Sequence, residues 1–308
     1  LIFRLVLLAR QGRRKEKHLK VFHTALAQCP VAAVVVNSDF QVEFVNRQYC
    51  QESRVSDVQA VGQSLFDLKG FPFSRNECLS RLSLEQGESL WRVEALCHGH
   101  DGTLRHHRFV MSATRRADGK VTHYVVLREN IDAQKRAEAQ LVFQANYDPL
   151  TELPNRALLR TQIAQAIEQA QRSQSRFAVF LLDLDGYKQI NDYFGHALGD
   201  QFLVQVANRM VETVARTGFV ARMGGDEFVV LMPITSARAV DTLAQQLINR
   251  VQEPLFLADK QAYLSVSIGI AQFPADGDTP ETLLQHADLA MHHSKSQHVP
   301  AIVFIHRR

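Results

Sequence analysis

Arg222-Met223-Gly224-Gly225-Asp226-Glu227-Phe228 is the stretch on which the fold turns. Apolar runs flank it, Phe219–Met223 before and Phe228–Met232 after. Paired glycines between such runs signal a tight β-hairpin. Outward from the hairpin, helix and strand patterns alternate. Phe177–Leu184 (FAVFLLDL) is a continuous apolar run, as a strand buried on both faces requires. Asn155–Ser173 reads as a helix. Phe202–Val214 reads as another, with Phe202, Leu203, Val206, Met210 and Val214 on one face. Downstream, Val240–Val251 and Pro280–Ser296 read as helices, and Ala262–Gln272 and Ala301–His306 as strands. The sum is an α/β arrangement of three layers, helices packed on a central mixed sheet.

Two acidic places stand on this frame. Asp183 ends the buried run, and Asp226 and Glu227 follow the glycine pair directly. Carboxylates beside a core are costly unless something neutralises them. Mg²⁺ with a nucleoside triphosphate does so, since it takes few protein carboxylates and completes its octahedron with phosphate oxygens and water. If the hairpin pairs beside the Asp183 strand, Asp183 and Asp226 converge. Two metals there could activate a hydroxyl and polarise a phosphoryl oxygen. Gly224 and Gly225 let backbone approach a ligand with no Cβ in the way. Taken alone, these residues equally describe an ordinary hairpin with surface acids.

The full string carries more. Gly224–Phe228 spells GGDEF. DPLTELPNR (Asp148–Arg156), DLDGYKQINDYFGHALGD (Asp183–Asp200), SVSIGIAQFP (Ser265–Pro274) and ADLAM (Ala287–Met291) accompany it in order and spacing. Over residues 148–300 the chain resembles the GGDEF family of diguanylate cyclases, which join two GTP into cyclic di-GMP on a palm-like central sheet flanked by helices. The resemblance implies that Asp183 and Asp226 hold Mg²⁺, helped by the Leu184 backbone carbonyl, with two ions per site and Mn²⁺ as an alternative. It makes Glu227 the base for the ribose 3′-hydroxyl, or a metal ligand. Asn191 and Asp200 match the guanine-reading positions, and an Asp suits guanine because it accepts from N1–H and the exocyclic amine together. Backbone at Gly186 and Tyr187, with Lys188, matches the phosphate cradle. Lys295 and Arg222 match further phosphate contacts that neutralise charge on the transferred group. Glu227, Asp226 and Lys188 are thereby the expected catalytic residues. Plainer roles exist for single positions: Asp200 as a helix cap, Lys188 as a solvated strand-end lysine, Arg222 as an exposed strand position. Taken together in the family order, the functional roles prevail.

Two departures from the family pattern bear on activity. An inhibitory product site, RxxD, often ends just upstream of the signature; its positions here hold Ala215 and Gly218. The family's Tyr-x-Ala-Lys-x-x-Gly-Arg-Asn run reads His292-His293-Ser294-Lys295-Ser296-Gln297-His298-Val299-Pro300, so Val299 replaces an arginine. Weaker GTP binding is the expectation.

The first part of the chain has a different pattern. Val31–Val36, Asn37-Ser38-Asp39 and Val42–Val45 read as strand, turn, strand. Leu90–Leu96, Leu104–Ser112 and Thr122–Leu127 read as further strands, with turns at Gly99–Gly102 and Ala117–Gly119. This is a small α+β domain with an antiparallel sheet. Its opening FHTALAQCPVAAVVVNSDFQVEFVNRQY, with Asn46, and its closing LRENIDAQKRAEAQL resemble a PAS sensor domain over residues 21–132. Its ligand is unknown from sequence. His98, His100, His106 and His107 are expected on a solvated hairpin rather than at a metal or haem, with His106 and His107 on opposite strand faces. Ile131–Asn146 lacks Gly and Pro and places Ala137, Leu141 and Ala145 on one stripe. It reads as a linker helix of about 20 Å, serving either as a spacer or as a dimer contact.

With 308 residues, 46% hydrophobic and 22% charged, the chain suits two globular domains. Residues 1–20 hold seven basic groups and one acid, a local charge of +6 in a chain whose total is +3, so the remainder is −3. A near-neutral body argues against nucleic-acid binding. Cys29, Cys50, Cys78 and Cys97 form no CxxC pair, which suits a reducing, cytoplasmic setting. Leu1–Ala9 followed by basic residues reads as the cytoplasmic end of a membrane helix with positive-inside charges, or as a frayed amphipathic helix.

The expected organisation is residues 1–20 juxtamembrane, 21–132 PAS, 133–147 linker helix and 148–308 GGDEF domain. The resemblance implies GTP as substrate and a homodimer for turnover, in cytoplasmic domains attached to the inner membrane through a segment upstream of Leu1. Two alternatives accompany the PAS-regulated cyclase. One is a catalytically weak GTP-binding domain controlling a neighbouring phosphodiesterase domain. The other is a non-enzymatic sensor and dimerisation module.

Overall fold

Alternation of apolar and polar residues builds the first sheet. The computed structural model describes residues 24–84, 90–99, 101–215, 218–257, 260–296 and 302–304. Its strands are β1 (Ala32–Asn37), β2 (Val42–Val45), β3 (Leu90–His98), β4 (Leu104–Arg115) and β5 (Val121–Asn130), in the spatial order β2-β1-β5-β4-β3 and antiparallel throughout. Phe109 and Met111 of β4 and Tyr124 and Val126 of β5 turn to the buried face, where Phe40 stacks on Tyr124 at 4.7 Å. Helices α1 (Arg47–Ser53), α2 (Asp57–Ala60) and α3 (Arg75–Leu84) lie between β2 and β3 in the chain.

Asn46 explains itself here. It caps α1 by accepting from the Tyr49 N–H, and the same Oδ1 accepts from the Ala33 N–H, each at 2.9 Å. Its amide donates to the carbonyls of Leu26, Cys29 and Val31. One buried side chain thus joins the entry segment, β1 and α1.

The histidines do not all behave as the solvated-hairpin expectation has it. His106 is on the outer face, against Asp132, but His107 is only 6% exposed. The alternation that separates the two also sends His107 inward beside Phe109. His100, Val299 and residues 1–20 lie outside the described residues.

Helix α4 (Asp132–Asn146) follows β5 and buries none of its residues; Leu141 is 66% and Val142 61% exposed. The chain divides into two compact units between Ala139 and Gln140, within this helix. No helix among the described residues is long and apolar enough to cross a membrane.

The second unit contains α5 (Arg156–Ser173), β6 (Phe177–Asp185), α6 (Tyr187–Phe194), α7 (His196–Val214), β7 (Phe219–Gly224), β8 (Glu227–Pro233), α8 (Ala237–Gln252), β9 (Leu255–Leu257), β10 (Lys260–Ala262), β11 (Ser265–Phe273), α9 (Pro280–Ser296) and β12 (Ile302–Phe304). Its large sheet runs β12-β11-β6-β8-β7, with only the β11–β12 pair parallel, and is therefore mixed. β6 is buried on both faces, as its unbroken apolar run requires. Ala178, Phe180, Leu182 and Leu184 pack with Phe202 and Val206 of α7 and Leu247 of α8. Phe177, Val179 and Leu181 pack with Leu159 and Ile163 of α5 and Leu283 and Ala287 of α9. At Gly269 of β11 a Cβ would overlap the Ala287 carbonyl and the Met291 amide, so α9 lies directly on the strand.

Three local expectations need correction. The strand expected over Ala262–Gln272 is broken: β9 and β10 form a hairpin, and β11 starts at Ser265. The helix expected from Phe202 begins at His196, which places Asp200 inside it rather than at its cap. Lys188 lies in α6, a short helix that the sequence reading did not mark, and not at a strand end.

Candidate functional site

β6 carries Asp183 to the edge of the core, and its two neighbours fix what lies beside it. In register, Asp183 faces Glu227 on β8 and Ser267 on β11. The Leu184 N–H donates to the Asp226 carbonyl at 3.2 Å, which ties the strand end to the Gly224-Gly225 turn. A cavity of about 510 Å³ opens at this place. Asp183, Leu184 and Asp226 line it, with Gly186, Tyr187 and Lys188 from the start of α6 and Lys295 from the end of α9.

Gly186 sits at φ 85°, the left-handed region glycine favours, and lets the chain turn from β6 directly into α6. No side chain caps α6, so its opening N–H groups remain directed at the cavity end.

The electrostatics are those of a carboxylate cluster short of positive charge. Burial, then the neighbouring Asp183, push the Asp226 carboxyl above its ordinary range. Burial, then Asp183, Asp288 and Asp226, do the same to Glu227. Lys295 meets Asp183 Oδ1 at 2.6 Å and offsets part of this repulsion. Among the described residues no three His, Cys, Asp or Glu side chains form a ready metal cluster. Two carboxylates and a carbonyl suit Mg²⁺, an ion that draws the rest of its shell from phosphate and water.

Asn191, Asp200, Arg222, Gly224, Gly225 and Glu227 do not line that cavity. Asn191 projects from α6 against Gly199 of α7, the residue before Asp200, where a Cβ would overlap the Asn191 Oδ1. That Oδ1 is buried without a hydrogen-bond partner. Arg222 is 9% exposed and fully engaged within the fold. Its Nη1 donates to Asp148 Oδ1 at 2.7 Å, and Nε and Nη2 donate to the Gly225 carbonyl at 3.1 and 2.7 Å. Asp148 Oδ1 also accepts from the Thr151 N–H at 2.8 Å and hydroxyl at 2.7 Å. The DPLT segment thereby holds the signature turn through Arg222.

Asp185, Ser265, Ser267 and Ser294 also line the cavity and were not singled out from sequence. Asp185 accepts from the Ser267 hydroxyl at 3.0 Å and the Ser265 hydroxyl at 3.3 Å. The signal was present: Asp183-x-Asp185 and Ser265-x-Ser267 alternate with the two-residue period of adjacent strands.

Residues 145–299, half of the chain, match the family model of the diguanylate cyclase GGDEF domain. This chain belongs to the GGDEF family. Residues 26–136 match the PAS fold, so the order is PAS then GGDEF. Among relatives, the bifunctional diguanylate cyclase/cyclic di-GMP phosphodiesterase MucR of Pseudomonas aeruginosa is 45% identical over 162 residues, covering 53% of this chain and 24% of its own length. The cyclic di-GMP phosphodiesterase PdeR of Escherichia coli is 31% identical over 271 residues, covering 86% of this chain and 40% of its own. The chain therefore spans well under half of either relative. The solved GGDEF domain of TpbB from Pseudomonas aeruginosa superposes with a TM-score of 0.50 at 39% identity, covering 51% of this chain and 93% of that one.

Proposed function

We propose that this GGDEF protein is a PAS-regulated diguanylate cyclase that condenses two GTP into cyclic di-GMP. The observation that carries the reading is the meeting of Asp183, Asp226 and the Leu184 backbone at one cavity beside an uncapped helix start. Asp183, Asp226 and the Leu184 carbonyl would hold Mg²⁺ or Mn²⁺, two ions per site, which when bound supply charge neutralisation for the triphosphate and its leaving group. The N–H groups at Gly186 and Tyr187, with Lys188 and Lys295, hold the phosphates. Asn191 and Asp200 read guanine; the unpartnered Asn191 Oδ1 suits an incoming N–H donor. Glu227 takes the proton of the 3′-hydroxyl, a task suited to a carboxyl whose proton affinity burial has raised. Arg222 acts by positioning the turn and not by touching phosphate.

Each domain binds one GTP, and two 3′-hydroxyls must each attack the other nucleotide's α-phosphate. Two copies facing each other about a two-fold axis supply that geometry. The exposed Leu141 and Val142 of α4 suit such pairing, and deleting α4 should remove turnover.

The test incubates the purified protein with GTP and Mg²⁺, separates the nucleotides by chromatography, and repeats the assay with Asp226→Ala. Cyclic di-GMP formed by the intact protein alone supports the reading. GTP bound without product supports a second one, a GTP-binding regulator of a phosphodiesterase domain. The similarity to PdeR across most of this chain favours that alternative.

A further inference from the structure

The inner face of the PAS sheet is apolar over Trp91, Phe109, Met111 and Val126, but it ends in charge. Arg128 of β5 and His107 of β4 continue the inward series and are 8% and 6% exposed. Arg128 Nη2 donates to Glu52 Oε2 at 3.1 Å and to the Ser53 hydroxyl at 3.0 Å, and Nη1 donates to the Lys69 carbonyl at 3.3 Å. Its Nε is buried with no partner, while the buried His107 ring beside it leans on the Arg105 backbone. Buried polar atoms are almost always satisfied, so an orphaned guanidinium N–H calls for a missing partner.

A cavity of about 70 Å³ lies against both residues, with Glu52, Ser53, Lys69 and Arg105 also on its wall. Arg105 is paired with Asp101, so the wall carries two fixed cations, Lys69 and Arg128, against the one carboxylate of Glu52. Glu52 is already shared between Arg128 and the Gln48 amide. At Gly70 (φ 81°) a Cβ would stand 2.6 Å from Arg128 Nη1, so only glycine lets the loop close over the guanidinium. The volume exceeds what one water needs and suits a small organic anion.

We propose that this polar end of the PAS core is a binding site for a small monocarboxylate of formate or acetate size, held by Arg128 and His107 with Lys69 at the rim. A carboxylate accepts charge-assisted hydrogen bonds from a guanidinium with matched planar geometry. Its oxygens would satisfy the Arg128 Nε–H and accept from the His107 ring. Its charge would balance the one surplus cation that Glu52 leaves. The site bridges β4 and β5 just before β5 passes into α4. There the Ile131 N–H donates to the His106 carbonyl at 2.9 Å, and the His106 N–H donates to Asp132 at 2.8 Å.

The test titrates the full chain with sodium acetate and sodium formate by calorimetry, with sodium chloride at matched ionic strength as control. Saturable one-to-one binding with a dissociation constant of roughly a millimolar is expected, a range open to so small a ligand. Chloride gives no saturable heat. Lys69→Gln, at an exposed position, should weaken binding about twofold to fivefold by removing one rim charge. Arg128→Gln should abolish it, with the fluorescence of the single Trp91 checking that the PAS core still folds. Where Arg128→Gln does not fold, Lys69→Gln decides. Ring-nitrogen NMR of His107 should shift on acetate addition in the parent protein. Absence of saturable binding by either carboxylate, an equal response to chloride, or unchanged binding in Lys69→Gln would each overturn the site and leave water as the occupant.

Discussion

Asp148→Asn isolates the link between the DPLT segment and the signature turn. The substitution keeps an amide oxygen for Thr151 but removes the charge facing Arg222, whose side chain is only 10% exposed. A hydrogen bond to a charged partner contributes about 1.5–3 kcal/mol, and a partly buried guanidinium left without its counter-ion adds to the loss. The Gly225 carbonyl keeps two of its bonds to Arg222 and limits the damage. A local destabilisation of about 2–3 kcal/mol follows, or roughly 30- to 150-fold in the opening equilibrium of the β7–β8 hairpin. Tryptophan fluorescence cannot read this, because the single Trp91 belongs to the PAS unit. Amide hydrogen exchange followed by mass spectrometry can, since it reports local opening peptide by peptide. The effect also has a sign in pH. Burial alone would raise the Asp148 carboxyl, but the Thr151 N–H and Arg222 outweigh it and hold the group below its ordinary value. A depressed carboxyl contributes stability that is fully present above the unfolded value of about 3.9 and is lost as pH falls through the folded one. The gap between parent and variant is therefore full at pH 7 and closes below about pH 4. Hairpin protection unchanged within about threefold at pH 7, or a gap that persists undiminished at low pH, refutes the reasoning.

Further outcomes follow from single contacts. Gly199→Ala should raise the KM for GTP about tenfold or more while leaving the helix intact, because its Cβ displaces the Asn191 carboxamide; steady-state kinetics checks this. Gly269→Ala should destabilise the GGDEF unit by about 3 kcal/mol or prevent folding, since the backbone of α9 cannot yield; soluble yield and thermal melting report it. Asn46→Ala should cost the PAS unit about 3 kcal/mol through five lost hydrogen bonds, read by Trp91 fluorescence during urea unfolding. Cyclic di-GMP should not block turnover noncompetitively at submicromolar concentration, because Ala215 and Gly218 stand at the RxxD positions; product-inhibition kinetics tests this.

Much of the second unit was legible because its signals are local and repeated. An apolar run as long as Phe177–Leu184 can only be a doubly covered strand, and the hairpin glycines set the neighbouring strand. The start of α6 was not legible: Tyr187–Phe194 is short, and its helicity depends on the Gly186 turn and on packing of Tyr187 and Ile190. The break at Tyr263–Leu264 was hidden because Leu264 is apolar and buried, so hydrophobicity runs through it. At the site, sequence named the acidic pair but not the commitment of Arg222 to Asp148, a contact across 74 positions that no local pattern encodes. His107 shows the reverse case. Alternation separated it correctly from His106, yet polarity alone suggested solvent, and only the closed loop over Arg128 makes it interior.

The register of β6 also governs how this chain can change length. Nine consecutive pairings hold β6 to β11, and seven hold it to β8. Insertion or deletion of one residue within β6 would exchange its two faces and swing Asp183 away from Asp226. Compensation by a matching change in β8 or β11 would in turn shift Glu227 or Ser267. Such a strand accepts substitutions one at a time but no indels. Length variation among descendants of this sequence should therefore fall at the β9–β10 hairpin, where the pairing is only three residues long.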